Sequence, residues 1–534
     1  MLLPMVYFRL RSTALKNNSK IYLEISSKTN SKTNSKINSK TDLKINIKKF
    51  LTVLAVLAVF LNPVRAFACT EIYIGSHLTD DGSTVFGRLE EYYSDMGMPK
   101  LFDAVPSGVH KAGEKYLGCY GFKWTFTHDS YSYTAFCDDN SQGVCPDCEG
   151  THEHTPYQAA GTNEKGLSVS ATETLESKES IVSVDPFNTE SGIEEAEIPT
   201  ILLSEAATAR EAMELLTEIL STTGGCSAGS VIVGDAEETW YIESLSGTQY
   251  AAVKLNEDLL FVCPNISIIG LVDLDDTENI LASDKLIETA VRAGTFKGDA
   301  DARIIDLAAS YEDPYDSNYS RLSAALNFLS SEAAWPANMK AGDIDSRDFR
   351  ISNVDAKGNT VPPYTGIVAD RKLSIRDAME LFRRPPISRH RSLETHLFQI
   401  KGAGKDDTVE WISMGDPLYS AFVPYLPMLT TDVSAPYRAG TEMPEYAEEK
   451  PAEGLYYATE YGLWGIYPEG WHNSFYWVST ALEHIARKDK SAARHIAGSM
   501  SALQDEICRK QMTGNAAAEK AYQTALELLK EYGM

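Results

Sequence analysis

Cys69 is the residue whose type and position in this chain most directly suggest covalent chemistry. It follows residues 66–68 (Ala-Phe-Ala) and, slightly earlier, the twelve-residue apolar run 50–61, which has two lysines before it. A basic flank, a short apolar core and an Ala-x-Ala sequence are the three parts of an export signal, whereas a membrane-spanning helix needs about twenty apolar residues. We therefore expect cleavage after residue 68, with Cys69 as the first residue of an exported chain.

An N-terminal cysteine carries a thiol and a free α-amino group on one residue. The pKa of an α-amino group is about 7.7–8.0, so near neutral pH part of it is unprotonated and can accept the thiol proton. Cys69 would then supply both nucleophile and base. A buried structural thiol, a disulfide partner and a lipidated cysteine are the alternatives, although lipidation normally requires Leu or a similar residue where Ala66 stands.

The residues after Cys69 predict a β-hairpin. Apolar and polar residues alternate over 70–76, which indicates a half-buried strand, and residues 79–83 (Thr-Asp-Asp-Gly-Ser) have turn chemistry. Residues 84–93 are expected to form the return strand. Cys69 would thus lie at the head of the hairpin, next to the end of the return strand.

The return strand carries charged residues back toward Cys69. Arg88 could stabilise a thiolate, and Glu90 or Glu91 could hold the α-amino group; a surface hairpin with solvated charges is the alternative. Arg88 and Glu91 are three residues apart and face opposite ways in a regular strand. Both side chains can reach Cys69 only if a bulge or a strand end lies between them in the strand.

This opening, ACTEIYIGSHLTDDGSTVFGRLEEY, resembles the start of the bacterial dipeptidase A family. These are cysteine members of the N-terminal nucleophile hydrolases, related to bile-salt hydrolases and penicillin acylases. Further matching blocks follow in the family's order: GTNEKGLSVSATET (161–174), IPTILLSEAATAREAMELL (198–216), GSVIVGDAEETWYIES (229–244), VCPNISIIG (262–270), PPYTGIVADRKLSIRDAMELFR (362–383) and VEWISMGDPLYSAFVPYLP (409–427). The resemblance covers most of residues 69–440 and favours Cys69 as the nucleophile.

The resemblance implies an α+β fold, a four-layer αββα sandwich of two antiparallel sheets between helices, with the nucleophile at the tip of the first strand. Local patterns agree with it. Capping boxes at Thr208-x-x-Glu211 and Ser374-x-x-Asp377 predict helices that end near residue 220 and before Pro385. Strands are expected at 230–234, 239–243 and 259–263.

The resemblance also implies roles for individual residues. Arg88 matches the arginine beside the nucleophile, Glu91 stands where relatives have Asp, and Asn265 matches an asparagine that helps form the oxyanion hole. Arg321 is matched to a second arginine of the catalytic site, with a surface helix charge as the alternative.

Two residues are predicted on the substrate side, Glu173 and Asn163. Glu173 stands where bile-salt hydrolases have an oxyanion-side asparagine. An ionised carboxylate cannot donate a hydrogen bond, so we expect Glu173 to bind the free α-amino group of a substrate instead.

Two other motifs suggest different chemistry. Residues 225–229 match the G-x-S-x-G nucleophile elbow, but that elbow follows a strand and precedes a helix, whereas here the order is predicted to be reversed. Cys145-x-x-Cys148, followed by His152 and His154, could bind zinc; a disulfide network that includes Cys119 and Cys137 is the alternative. The proposed reaction itself needs neither a metal nor another cofactor.

Charge and composition divide the chain. Residues 1–68 carry a net charge of +10 and a repeated Ser-Lys-x-Asn/Asp unit typical of disorder. Because the whole chain has a net charge of −26, the remaining 466 residues carry about −36. So acidic a body should repel nucleic acid and anionic lipid. We expect a catalytic domain over 69–440 with a Cys-rich insert at about 116–157.

Residues 441–534 are expected to form a linker and two helices, about 478–510 and 516–532, that pack on the core or on an oligomer partner. The function predicted from the sequence is an exported cysteine dipeptidase that acts on short peptides and has no membrane attachment after cleavage. An amidase of acylated amino acids or conjugated bile acids and a lipid-anchored binding protein are the alternatives. Dipeptide specificity, oligomeric state and the true start codon are not predicted.

Overall fold

The computed structural model describes residues 7–8, 25–26, 69–92, 99–139, 157–172, 175–330, 334–390, 392–442, 444–452, 454–459 and 463–534. The chain divides into two units, Met1–Arg65 and Ala66–Met534. In the first unit, strands β1 (Tyr7–Phe8) and β2 (Ile25–Ser26) pair antiparallel.

The second unit contains both strands and helices. Its strands are β3 (Thr70–Ile74), β4 (Thr84–Glu91), β5 (Lys100–Val105), β6 (Lys115–Leu117), β7 (Lys123–Thr125), β8 (Tyr133–Asp138), β9 (Gln158–Thr162), β10 (Ser168–Thr172), β11 (Gly229–Gly234), β12 (Thr239–Ser244), β13 (Tyr250–Leu255), β14 (Leu260–Cys263), β15 (Leu271–Asp273), β16 (Ile280–Ala282), β17 (Gly298–Asp299), β18 (Ile304–Asp306), β19 (Ser352–Val354), β20 (Thr360–Tyr364), β21 (Ser392–Ile400), β22 (Thr408–Met414), β23 (Val423–Tyr425), β24 (Glu445–Ala447), β25 (Tyr456–Ala458) and β26 (Trp464–Ile466). Its helices are α1 (Glu179–Val184), α2 (Ile198–Glu205), α3 (Ala209–Thr222), α4 (Leu286–Ala293), α5 (Leu307–Tyr311), α6 (Tyr319–Leu329), α7 (Ile375–Phe382), α8 (Phe475–Lys488), α9 (Lys490–Lys510) and α10 (Gly514–Glu531).

Two antiparallel sheets form the centre of this unit. One has eight strands in the order β16-β13-β12-β11-β10-β9-β8-β5, and the other has six in the order β14-β3-β4-β21-β22-β23. There are also two three-stranded sheets, in the orders β15-β18-β17 and β24-β26-β25, and two two-stranded sheets, β19-β20 and β6-β7. The mixed α+β class expected from the sequence is therefore correct.

The two large sheets face each other through polar side chains. Ser230 Oγ donates to Glu71 across the interface (2.8 Å), and Ser170 shares a 2.8 Å hydrogen bond with His396. Helices contact the same sheets elsewhere: α2 and α3 lie on the eight-stranded sheet, while α6, α8 and α10 contact β14, β22 and β23. Because both faces of β3 are covered, all five of its residues are buried, so the expected half-buried strand is wrong.

The predicted capping box is complete at Ser374 and only half formed at Thr208, where the Glu211 carboxylate accepts from the N–H of Ala207 instead of that of Thr208. Thr208 accepts from the backbone N–H of Glu211 at the start of α3, and Ser374 and Asp377 make the reciprocal pair at the start of α7. In the C-terminal region, the single helix expected over 478–510 is two helices. Asp489 has extended backbone and caps α9 through the N–H of Ser491, which ends α8 at Lys488.

The expected insert over 116–157 contains a strand of the central fold. Strand β8 lies between β5 and β9 in the eight-stranded sheet, so this part of the segment belongs to the central fold. Among the residues of the segment that the structure describes, the β6–β7 hairpin lies outside the two large sheets. Cys145, Cys148, His152 and His154 lie outside the described residues. Among the described helices, none is long and apolar enough to span a bilayer.

Candidate active site

Cys69 immediately precedes β3, and its side chain is only 5% exposed. The β3–β4 register pairs Glu71 with Arg88 and Thr70 with Leu89, which places Cys69 level with the end of β4. The backbone N–H of Glu91 donates to the Cys69 thiol. The hairpin therefore holds the cysteine against the charged end of the return strand.

Burial raises the pKa of the Cys69 thiol to about 12, and the neighbouring Arg88 lowers it only in part, since Glu195 and Glu90 act in the opposite direction. The Cys69 nitrogen is part of a peptide bond to Ala68 in this chain. Without a free amine, and with so high a pKa, the thiol stays protonated near neutral pH. With Ala68 attached, Cys69 is thus held in an unreactive form.

Arg88 is fully buried and is surrounded by acceptors. It donates to Glu90 (2.7 Å), to Glu195 and to the backbone carbonyl of Ala171 on the facing sheet, and Glu394 lies 3.6 Å away. The guanidinium is therefore fixed between the two sheets, on the side of β4 that faces the eight-stranded sheet.

Arg321 of α6 is also buried and contacts Cys69 directly. One of its nitrogens donates to the carbonyl oxygen of Cys69 (2.5 Å) and to Thr70 Oγ1 (2.9 Å). The other donates to the carbonyl of Pro264 (2.9 Å) and to Asn318 (3.0 Å). The alternative interpretation of Arg321 as a surface charge is therefore wrong. Its hydrogen bonds link the start of β3 to the segment after β14.

Asn265 lies in that segment. Its backbone is left-handed (φ 59°), a conformation that asparagine tolerates better than most residues. Strand β14 pairs Cys263 with Glu71, so continuing the register places Asn265 level with Cys69. Asn318 donates to the Asn265 carbonyl (2.8 Å), which helps to fix this conformation. The oxyanion role stays a prediction, but the position agrees with it.

The two glutamates at the end of β4 turn to different partners. Glu90 pairs with Arg88 and, at 2.6 Å, with Lys100. Glu91 accepts three hydrogen bonds of 2.7–2.9 Å from Arg389 and lies 3.9 Å from Arg321. The register shift opposite these two residues lies in β21, so it does not turn the side chains of Arg88 and Glu91 to one face of β4. Arg88 points to the eight-stranded sheet and Glu91 to Arg389, and Glu91 contacts the Cys69 thiol only through its backbone N–H.

The structure does not bring Asn163 to this site. It lies in the β9–β10 turn, at the end of β10 remote from Ala171, and is fully buried. Its amide donates to the carbonyls of Leu203 and Ala206, and its side-chain oxygen accepts from two backbone N–H groups of its own turn. We correct the substrate-binding interpretation of Asn163 to a structural one. Glu173 lies outside the described residues.

Several residues of the site carry no local signal in the sequence. They come from separate elements and touch Cys69's neighbours only in the folded chain: Lys100, Glu195, Asn318, Arg389 and Glu394. The G-x-S-x-G segment lies between α3 and β11, the order opposite to that of a nucleophile elbow. Within the described part of the chain, no group of three His, Cys, Asp or Glu residues is arranged to hold a metal ion.

Comparisons with known proteins show the family to which the chain is similar. The sequence profile of peptidase family C69 matches residues 68–450. A probable dipeptidase B of Streptococcus pyogenes serotype M1 is 30% identical, covering 70% of this chain and 75% of that protein. A probable dipeptidase of Salmonella dublin is 27% identical, covering 71% and 84%. Among solved structures, a mutant of the conjugated bile acid hydrolase from Clostridium perfringens aligns at 10% identity and a TM-score of 0.28, over 65% of this chain and 89% of that one.

Proposed function

Because the chain belongs to peptidase family C69, we propose that it is a cysteine dipeptidase that hydrolyses short peptides outside the cytoplasm, with Cys69 as its nucleophile. Family membership and the names of the relatives support a peptide hydrolase. The single observation that carries the finer proposal is the convergence of two buried arginines on Cys69: Arg321 holds its carbonyl oxygen, and Arg88 lies beside its thiol.

In the proposed reaction, the Cys69 thiolate attacks the peptide carbonyl carbon, and the α-amino group of the same residue accepts the thiol proton. Asn265 and backbone N–H groups stabilise the oxyanion, a contribution of about 2.7–4 kcal/mol per well-aimed donor. The amine then returns the proton to the leaving amino group, and water releases the acyl group from Cys69. The two buried arginines at Cys69 and the position of Asn265 support this sequence of steps.

The proposal includes cleavage of the leader after Ala68, since only cleavage creates the catalytic amine. It also includes the four-layer αββα arrangement, which the contacts of α2 and α3 with one sheet and of α6, α8 and α10 with the other support. Export and activation would then depend on the same cleavage.

The test is turnover of a dipeptide panel by the exported protein and by Cys69→Ala. We expect Cys69→Ala to lower kcat/KM by at least ~10³-fold, because the variant has no nucleophile. Cys508→Ala is the matched control, since Cys508 lies in the C-terminal helix α9, and its activity should equal that of the parent. Turnover retained by Cys69→Ala would exclude Cys69 as the nucleophile.

Intact mass of the exported protein tests the leader cleavage. A chain that starts at Cys69 with an unmodified amine is expected. A diacylglyceryl-modified Cys69 would instead favour the lipid-anchored binding protein, because an acylated amine cannot act as the base.

A further inference from the structure

The segment 264–269, which carries the proposed oxyanion donor, runs between β14 and β15 and belongs to no helix or strand. Its end is held by Glu243, which is fully buried. One oxygen of this carboxylate accepts from the backbone N–H groups of Ile268 (2.5 Å) and Ile269 (3.2 Å). The other oxygen accepts from Ser267 Oγ (2.5 Å). A side chain therefore satisfies backbone donors that a neighbouring strand would satisfy in a sheet.

Glu243 joins the two large sheets at this point. It belongs to β12 of the eight-stranded sheet, whereas the 264–269 segment continues β14 of the six-stranded sheet. Ser230 lies opposite Glu243 in the β11–β12 register and donates to Glu71 of β3 (2.8 Å). Glu71 is two residues after Cys69. Glu243 thus fixes the segment from the sheet that faces the Cys69 hairpin.

The peptide groups of Ser267 are bound by a second buried pair. Its N–H donates to Glu312 (2.7 Å), and its carbonyl accepts from Arg350 Nε (2.9 Å). Arg350 and Glu312 also pair with each other at 2.7 Å, and their side chains are 11% and 4% exposed. Glu312 follows α5, and Arg350 lies shortly before β19. Side chains from three separate parts of the chain therefore meet at this short segment.

This anchoring matters for Asn265 because its own conformation is demanding. Its backbone is left-handed (φ 59°), a conformation that persists in a residue other than glycine only where the surroundings enforce it. Arg321 and Asn318 bind the carbonyls of Pro264 and Asn265 at the other end of the segment. An oxyanion donor must lie about 2.7–3.1 Å from the developing charge. A shift of the segment by about 0.5 Å is therefore enough to weaken it.

We propose that Glu243 is a positioning residue for the reaction, which holds residues 267–269 and thereby keeps the Asn265 amide at the oxyanion. Glu243 acts through Asn265 and is itself not a reacting group. The Glu312–Arg350 pair supports the same segment. This inference rests on the proposed function, in which Asn265 is the oxyanion donor, and adds to it a residue of the facing sheet.

The test is a double-mutant cycle of Glu243→Ala and Asn265→Ala, measured as turnover of the preferred dipeptide by the exported protein. We expect Glu243→Ala to lower kcat by at least ~10-fold and to change KM by less than ~3-fold, because an oxyanion donor acts in the transition state. Asn265→Ala alone should lower kcat by at least ~10²-fold. In the Asn265→Ala background, Glu243→Ala should cost less than a further ~3-fold, since no donor is left to position.

Further measurements separate positioning from general stability. Glu243→Gln keeps an oxygen that can accept from the two N–H groups, so its kcat should be within ~3-fold of the parent's. Glu237→Ala, an exposed change in the turn before β12, should leave kcat unchanged. Alkylation of Cys69 by iodoacetamide forms no oxyanion, so its rate should be equal in Glu243→Ala and in the parent. A fold that is merely loosened would raise this rate.

Ser267→Ala is the variant to use if Glu243→Ala does not fold, because it removes one hydrogen bond of Glu243 and keeps the backbone. It should lower kcat about 3-fold in the parent and leave it unchanged in the Asn265→Ala background. An equal loss of kcat with and without Asn265, or no loss in a folded Glu243→Ala, would overturn the inference. So would an Asn265→Ala variant with the parent's kcat. The proposed function fails by a separate result, namely turnover that survives Cys69→Ala.

Discussion

At the scale of single residues, the surroundings of Cys69 suppress its thiolate in the uncleaved chain. Burial raises the thiol pKa to about 12, which Arg88 and the backbone N–H of Glu91 lower only in part. Burial likewise lowers the pKa of Arg321 to about 10, so this guanidinium is held by its hydrogen bonds at some electrostatic cost. The proposed leader cleavage would add an amine at this position and change the balance of charge.

This predicts a pH dependence for alkylation of Cys69 by iodoacetamide. Thiolate is the reactive form, and a pKa of about 12 leaves roughly one part in 10⁴ ionised at pH 8. In the uncleaved chain the rate should rise about tenfold per pH unit from pH 8 to 10 without reaching a plateau. Intact mass measures the rate, with Cys69→Ser correcting for the other thiols. A plateau near pH 8 would contradict the prediction.

At the scale of elements, the pairing of β4 with β21 positions Arg88. Gly87 lies directly before Arg88, and a Cβ added there would collide with the carbonyl of His396 and come within 2.8 Å of Leu397 Cα. His396 is paired with Arg88 in the β4–β21 register and hydrogen-bonds Glu394 at 3.1 Å, so polar groups of both strands face the same interior. Only glycine, which has no Cβ, lets the two backbones approach this closely at this position.

Gly87→Ala should therefore separate β4 from β21 and displace Arg88. We expect a loss of roughly 1–3 kcal/mol or more in the free energy of unfolding, measured by urea denaturation, together with reduced activity. Gly498→Ala is the matched control, because this helical glycine has no atom within 4 Å of an added Cβ. The control should be neutral or stabilise by up to ~1 kcal/mol. Equal stability of both variants would be inconsistent with the tight pairing.

At the scale of the whole molecule, the C-terminal helices complete the core of the six-stranded sheet. Trp477 of α8 is fully buried, and α8 and α10 contact β22 and β23. Gln504 of α9 makes a 2.7 Å and a 3.0 Å hydrogen bond with the backbone of Phe422. The extension is thus part of the packed unit, although the family profile ends at residue 450.

A chain truncated after residue 450 should lose its compact fold. Removal of α8–α10 exposes the apolar face of β22 and β23, and large buried aromatic residues each stabilise a core by about 3–5 kcal/mol. We expect aggregation or a lower Tm in thermal denaturation compared with a control chain that lacks only residues 533–534. A truncated chain with the parent's Tm would show that the helices are dispensable.

Local patterns predicted the local structure well and the site only in part. The turn at 79–83 forms with Gly82 in a left-handed conformation (φ 75°), and both predicted N-caps form, with the complete capping box at Ser374. The alternation of apolar and polar residues in β3 predicted the strand correctly. It did not predict that both faces of the strand are buried, because the second sheet that covers it is distant in sequence. The break at Asp489 was missed because helical residues flank it on both sides.

The sequence by itself determined which chemistry is available: a cysteine behind an Ala-x-Ala sequence, a hairpin that returns Arg88 and Glu91, and the family to which these belong. Only the tertiary structure decided that Glu90 turns to Arg88 while Glu91 turns to Arg389, and that Glu195 joins the site. The reason is physical. A strand's period determines which residues share a face, but the partner of a buried charge depends on which distant carboxylate or guanidinium the packing of two sheets brings within about 4 Å.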